Sequence, residues 1–202
     1  MKLAYDILVP TCKPYEKVKE LVARIMETSD TTAGNLHVTC KNVSASINRN
    51  YALQHATAPV VIMLDDDISG FYPGWDETLV EALHLSSNHV MVSARLMNKD
   101  NTPGTMMNIT PNLTGEFQYV NGFLPSACIA FYNDGTRFDE NFIGSGWEDT
   151  DFCVSLQKKY PKGEFLIANE AKLIHNNEMK NGNGIMFAKN KAYYLKKHGV
   201  IV

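Results

Sequence analysis

The sequence lacks the features that mark several protein classes. It contains no apolar run that approaches the length of a membrane-spanning helix, which is about 18 residues. Asp6 places an acid where a signal peptide would have its apolar core. The four cysteines, Cys12, Cys40, Cys128 and Cys153, form no C-x-x-C pair, which argues against a zinc ribbon or a secreted disulfide framework. We therefore expect reduced thiols, no transmembrane segment and a cytoplasmic protein.

The sequence also lacks an excess of basic residues. Its 202 residues include 19 lysines and arginines against 22 aspartates and glutamates, which gives a net charge of −3. General nucleic-acid binders carry the opposite balance, so charge does not suggest this class. The composition is otherwise ordinary, with 45% hydrophobic residues, and the length suffices for a core that needs no disulfide.

Apolar runs of strand length alternate with segments of helical period over the first 95 residues. This alternation predicts a mainly parallel α/β sheet flanked by helices. In the second half we expect an apolar strand at 127–131 and a helix at 150–159, in a unit that lies across the ends of the same sheet. The elements predicted in the first half are strands at 7–9, 36–40, 60–64 and 90–94, and helices at 18–26, 44–56 and 76–85.

Three consecutive aspartates, Asp65, Asp66 and Asp67, follow the strand predicted at 60–64. Ligands of open α/β sheets bind at the carboxyl ends of strands. In an extended segment Asp65 and Asp67 point the same way and Asp66 points away, so the outer pair can address one divalent cation that also takes phosphate oxygens. The alternative is a solvated acidic turn, and the motif alone leaves both open.

A second acidic group lies in F-D-E-N-F-I-G-S-G-W-E-D-T-D-F at 138–152. Trp147 offers a flat apolar wall, and Glu148 and Asp149 stand near a predicted helix start. Acids in a first helical turn are also favoured by the helix dipole, which is the structural alternative. A carboxylate here could serve as a general base if it reaches an acceptor hydroxyl.

His175 is the third candidate, because it follows an apolar run and precedes a stretch rich in asparagine and glycine. A single histidine near a strand end is more often structural than a ligand. The adjacent loop favours the functional interpretation, since such loops close over bound substrates.

In this order the segments resemble the family 2 nucleotide-sugar glycosyltransferases, which have the GT-A fold. I-L-V-P-T-C-K-P at 7–14 is similar to the family's opening strand and turn, and N-R-N-Y-A-L at 48–53 to its A-R-N-x-G helix. V-I-M-L-D-D-D at 61–67 resembles the strand that ends in the D-x-D metal motif. G-W-E-D-T-D-F at 146–152 resembles the E-D acceptor motif, and L-I-H at 173–175 the closing metal-ligand histidine.

The resemblance implies one GT-A catalytic domain over 1–202, with a nucleotide-sugar-binding half at 1–97 and an acceptor-binding half at 98–202. It implies Asp149 as the general base, with Trp147 shaping the acceptor pocket beside Glu148. Because an imidazole joins oxygen ligands, Mn²⁺ is expected before Mg²⁺. The implied metal ligands are Asp65, Asp67 and His175, and the implied donor-binding residues are Pro10, Thr11, Arg49, Asp65 and Asp66.

One departure concerns the nucleotide base. Only 55 positions separate Pro10 from Asp65, fewer than members of the family usually have. Thr39, Cys40 and Lys41 stand where an acid that contacts uracil is expected. We therefore expect one strand-turn unit of the family's fold to be missing here. The departure leaves the nucleotide base of the donor open, and a UDP-sugar is the first expectation.

The expected reaction is transfer of a sugar from a nucleoside diphosphate to an acceptor hydroxyl, with inversion. A retaining transferase of the same fold, a glycoside hydrolase and, more distantly, a sugar nucleotidyltransferase are the enzyme alternatives. From another class, a non-catalytic sugar- or nucleic-acid-binding module on a degenerate GT-A fold is possible. The acceptor is expected to be a glycan, free or lipid-linked, or, in a viral protein, a modified DNA base. The basic aromatic segment at 190–199 either meets an anionic partner or is a solvated helix face.

Overall fold

The computed structural model describes residues 4–30, 34–104, 109–176 and 184–199. The strands and helices in these ranges confirm the predicted alternation. In chain order they are β1 (Tyr5–Thr11), a 3₁₀ turn (Tyr15–Lys17), α1 (Lys19–Thr28), β2 (Leu36–Cys40), α2 (Ala45–Leu53), β3 (Val60–Leu64), β4 (Ile68–Ser69), α3 (Trp75–His84), β5 (His89–Met97), β6 (Phe117–Val120), β7 (Cys128–Tyr132), α4 (Glu148–Lys159), β8 (Glu164–His175) and α5 (Gly184–Lys197).

All eight of these strands belong to one sheet of order β2-β1-β3-β7-β5-β8-β4, and β6 pairs with β8 outside this path. β1, β2, β3, β5 and β8 run in one direction, and the other three run against them. The prediction of a mixed, mainly parallel α/β sheet is therefore confirmed.

The expectation that the second half lies across the sheet ends is wrong. β7 pairs with both β3 and β5, and β8 pairs with β5, so the second half supplies interior strands. The physical reason is that four of the five residues of β7 are buried. A continuous apolar strand of this kind needs neighbours on both edges and cover on both faces.

β3 determines where the acidic motif lies. Each of its five residues is buried, because β1 and β7 flank the strand. Asp65 is the first residue after this run and is half-buried. The end of the apolar core thus places the aspartates at the carboxyl edge of the sheet, as expected for a ligand site in an open α/β fold.

The buried face predicted for residues 18–26 is correct only in part. Val18, Val22 and Ile25 are buried, but Met26 is 57% exposed. At 100° per residue, position 26 lies about 100° around the helix from position 25, beyond the edge of the covered stripe. Within the described ranges, no helix has the length and apolar character needed to cross a membrane.

Candidate active site

The aspartate motif leaves β3 through a turn. Asp66 and Asp67 lie in that turn, so the extended geometry expected for residues 65–67 is wrong. The turn leads into β4, which pairs with the end of β8 and sets Ile68 opposite His175. The same pairing brings His175 to the aspartates, although 108 positions separate it from Asp67.

The side chains of Asp65, Asp67 and His175 form a candidate metal site. Each offers a ligand atom, and these three atoms lie within 4.8 Å of one another. His175 Nε2 is 3.3 Å from Asp67 Oδ1. Burial opposes the charged imidazole, but its bond to Asp67 and the charges of both aspartates raise the pKa of His175. Two carboxylates and an imidazole suit Mn²⁺, which would replace that proton, so these residues fit the metal.

Asp66 faces a different partner. The Thr11 hydroxyl donates a hydrogen bond to Asp66, and Lys13 Nζ lies 3.0 Å from Asp66 Oδ1. Lys13 N also donates to Thr11 Oγ1 at 2.9 Å. Pro10 is buried one residue earlier in β1. The structure therefore gathers Pro10, Thr11 and Asp66 where the ends of β1 and β3 meet.

Arg49 joins the two acidic motifs. From α2, its Nη2 donates to Asp65 Oδ1 at 3.0 Å and its Nη1 donates to Glu148 Oε1 at 2.8 Å. Burial disfavours the guanidinium charge, yet Asp65, Glu148 and Asp149 together raise the pKa of Arg49. Charge-assisted bonds of this kind are the stronger class of hydrogen bond. One buried cation therefore connects the metal side of the site with the start of α4.

The start of α4 presents Glu148 and Asp149. Trp147, just before the helix, has a φ of +73°, a left-handed conformation that is uncommon outside glycine. Glu148 is buried, and its Oε2 has no hydrogen-bond partner in the described part of the chain. Burial and the Glu148 charge raise the pKa of Asp149 to about 6, against the lowering effects of Arg49 and of the Thr150 N–H. A carboxylate with such a pKa suits a general base.

Asn50, next to Arg49 in α2, makes a contact that the sequence did not reveal. Its Nδ2 donates to the Phe138 carbonyl at 2.8 Å, and its Oδ1 accepts from the Phe138 N–H at 2.8 Å. This pairing replaces the two backbone bonds that a neighbouring strand would make. In the sequence, Asn50 was visible only as part of N-R-N around Arg49. Its partner Phe138 lies 88 positions away, so no local pattern connects the two.

The end of the chain contacts the site through α5 and the residue after it. His198 Nε2 and Lys197 Nζ each lie 2.8 Å from Asp151 Oδ1, in the first turn of α4. Lys197 Nζ also lies 2.6 Å from Asp139 Oδ2. The solvated-face interpretation of residues 190–199 is therefore wrong for His198, while Lys197 is exposed but ion-paired, and Lys191 and Lys196 are exposed. In the sequence, the only sign of these contacts was the presence of two acids, Asp139 and Asp151, in the segment 138–152.

The family model of glycosyl transferase family 2 matches residues 19–143, which is more than half of the chain. The chain belongs to glycosyl transferase family 2. This confirms the family suggested by the motifs. No protein of curated function matches this family 2 chain in sequence.

Solved structures share the fold of this family 2 chain at low identity. GalNAc-T7 with UDP, GalNAc and Mn²⁺ matches at a TM-score of 0.72 and 10% identity, over 97% of this chain and 48% of its own. The mannosyltransferase PcManGT of Pyrobaculum calidifontis, with GDP-Man and Mn²⁺, matches at a TM-score of 0.68 and 12% identity. The match covers 100% of this chain and 66% of the mannosyltransferase. Glucosyl-3-phosphoglycerate synthase of Mycobacterium tuberculosis, with Mn²⁺, UDP-glucose and phosphoglyceric acid, matches at a TM-score of 0.63 and 10% identity. The match covers 99% of this chain and 81% of the synthase.

These likenesses confirm the GT-A fold. The family 2 chain spans about half the length of GalNAc-T7 and 66% of the mannosyltransferase.

Proposed function

We propose that this family 2 member transfers a sugar from a nucleoside-diphosphate donor to an acceptor hydroxyl, with Mn²⁺, or Mg²⁺ in its place, as cofactor. The observation that carries the proposal is the convergence of Asp65, Asp67 and His175, linked by Arg49 to the start of α4. The similar structures support it, since those proteins hold UDP, GDP-Man or UDP-glucose together with Mn²⁺.

On the donor side, Asp65, Asp67 and His175 hold the metal in this proposal. A bound divalent cation offsets the negative charge that develops on the leaving diphosphate. Pro10 and Thr11 lie along the nucleotide. Donor binding also involves Asp66 and, through its hold on Asp65, Arg49.

On the acceptor side, Asp149 takes the proton from the acceptor hydroxyl as that oxygen attacks the anomeric carbon. The bond from this carbon to the diphosphate breaks in the same displacement, so the product anomer is inverted. A pKa of about 6 leaves Asp149 ionised at neutral pH and still basic enough to act. Trp147 and Glu148 shape the acceptor pocket, where Glu148 Oε2 can accept a hydrogen bond from a sugar hydroxyl.

The same proposal divides one catalytic domain, 1–202, into a donor half at 1–97 and an acceptor half at 98–202. His175 crosses this division, because β8 returns its end to the aspartates. The acceptor in this proposal is a glycan, free or lipid-linked, or a modified DNA base in a viral protein. The four cysteines are free thiols, which supports a cytoplasmic location.

A thermal-shift screen tests the donor assignment. UDP-, GDP-, dTDP- and CDP-sugars are added with and without Mn²⁺, and one base series is expected to raise the melting temperature only with the metal. At a ligand concentration of 100 times the dissociation constant, binding adds about 2.7 kcal/mol. Asp67→Ala is expected to lose the metal-dependent shift. If no nucleotide sugar shifts the wild type, the proposal is wrong.

Proton NMR of the product tests the stereochemistry. An inverted anomer is expected, and a retained anomer would replace the single displacement by a retaining mechanism of the same fold. A folded protein that binds nucleotide sugars but transfers nothing would favour the non-catalytic module.

A further inference from the structure

A buried asparagine of α5 holds the loop that precedes α4. Asn190 is 2% exposed. Its Oδ1 accepts from the Ile143 N–H at 3.0 Å, and its Nδ2 donates to the Ile143 carbonyl at 2.8 Å and to the Gly146 carbonyl at 2.9 Å. The segment between Asp139 and Glu148 has no helix or strand of its own. Asn190 therefore supplies hydrogen bonds that regular structure would otherwise provide.

The first turn of α5 packs directly on the backbone of the same loop. Gly144 and Gly146 have φ values of +60° and +102°. A Cβ on Gly144 would lie 2.8 Å from Met186 Sδ, and a Cβ on Gly146 would lie 2.6 Å from Phe187 Cδ2. Both glycines have the left-handed backbone that favours glycine, and a side chain at either position would also have to displace Met186 or Phe187.

α5 also contacts the residues on which the acceptor pocket depends. The ring centroids of Phe187 and Tyr194 lie 5.8 Å and 5.0 Å from that of Trp147. Asn190 lies between these two aromatic residues in the sequence of the helix. The loop, Trp147 and the first turn of α4 are therefore held from one side by one helix.

We propose that Asn190 is a positioning residue of the acceptor site, which fixes residues 143–147 so that Trp147 and Asp149 face a bound acceptor. The role of the pocket rests on the proposed function, whereas the hold of Asn190 on the loop does not. Without the amide, the Ile143 and Gly146 backbone groups lose partners in a part-buried position, and the loop is then free to rearrange so that these groups find other partners. A displacement of about 1 Å can cost up to about a hundredfold in rate.

Tryptophan fluorescence tests the hold on the loop in the full chain. The protein has two tryptophans, and Trp75 is fully buried, so acrylamide quenching reports Trp147. Asn190→Ala is expected to increase the quenching constant, and Asn190→Asp to increase it at least as much, because a buried carboxylate oxygen would face the Ile143 and Gly146 carbonyls that now accept from Nδ2. Lys191→Ala, at the exposed neighbouring position, is the matched control. Quenching of Asn190→Ala equal to that of the control overturns the proposal.

Kinetics test the positioning role. Asn190→Ala is expected to lower kcat/KM for the acceptor by about tenfold to a hundredfold, while Mn²⁺-dependent binding of UDP or GDP stays within about twofold. Unchanged acceptor kinetics, or an equal loss of nucleotide binding, overturns the role. If Asn190→Ala does not fold, Asn190→Ser, which keeps a small polar side chain at this position, is measured in the same way. A protein without transferase activity refutes the proposed function, and the quenching result still decides whether Asn190 holds the loop.

Discussion

The two acidic segments of the site, 65–67 after β3 and 148–151 at the start of α4, differ in what surrounds their carboxylates. All three aspartates of the first are half-buried at the open edge of the sheet. In the second, Glu148 and Asp151 are buried, and Asp149 between them is half-buried like the first three. Accessible carboxylates can take a cation from solution, whereas a buried one needs a cation within the protein or retains a proton more readily.

The acids at the start of α4 also differ from one another in their partners. Arg49 pairs with Glu148, and Lys197 and His198 pair with Asp151. In the described part of the chain, no cation hydrogen-bonds to Asp149, whose pKa is raised to about 6. Partners, more than residue type, therefore set how these acids differ: some converge with His175, some pair with basic side chains, and one has a raised pKa.

The largest expected effect comes from removing the acid with the raised pKa. Asp149→Asn keeps the shape of the side chain but cannot take a proton, so kcat should fall by about 10²- to 10⁴-fold. The Mn²⁺-dependent shift with the donor should remain, since the metal site is untouched. Asp100→Asn, in an exposed loop, is the control. Turnover near that of the control would remove Asp149 from the base role.

A pair of variants tests the exposed segment. Asp67→Ala should weaken Mn²⁺ binding by about 10- to 100-fold, because it removes one of three converging ligand atoms. Asp66→Ala should weaken it much less, because Asp66 faces Thr11 and Lys13. Isothermal titration with Mn²⁺ alone measures both. Equal losses in the two variants would contradict the division of roles within residues 65–67.

Asp151 should affect stability rather than metal binding. Asp151→Asn weakens the contacts with Lys197 and His198 in a buried setting and should lower the free energy of unfolding by about 1–3 kcal/mol. Urea unfolding at pH 7 measures this change. Asp149→Asn should not destabilise, because a carboxyl with a raised pKa opposes folding when it is ionised. A larger loss in Asp149→Asn than in Asp151→Asn would reverse the comparison.

The pH dependence should show opposite signs for activity and for the stability contribution of Asp149. Transfer needs the ionised base, so the rate with saturating metal should fall as pH drops through about 6, by about tenfold at pH 5. Between about pH 6 and 4 the folded state binds a proton that the unfolded state does not, so this group adds stability as pH falls. Asp149→Asn should remove the stability trend. A rate that is flat from pH 7 to 5 would contradict the assignment.

Local patterns predicted much of the fold and part of the site. The bounds of β2 and β3 match the predicted strands, and for β3 the reason is that a short apolar run between turn signals favours a buried strand. Asp65, Asp67 and His175 were recognisable as candidate ligands because each stands at or just after the end of an apolar run. Asn190 and Asn50 were not, since an asparagine has no pattern of its own and their partners lie 47 and 88 positions away.

The sequence by itself determined the alternation of strands and helices, the family and the places where acids leave the core, because these depend on neighbouring residues. Only the tertiary structure decided which acids converge with His175, which are paired with basic side chains and which has a raised pKa. Burial and charge act through space, so the contact of Arg49 with Asp65 and Glu148 exists only once β3, α2 and α4 are packed together.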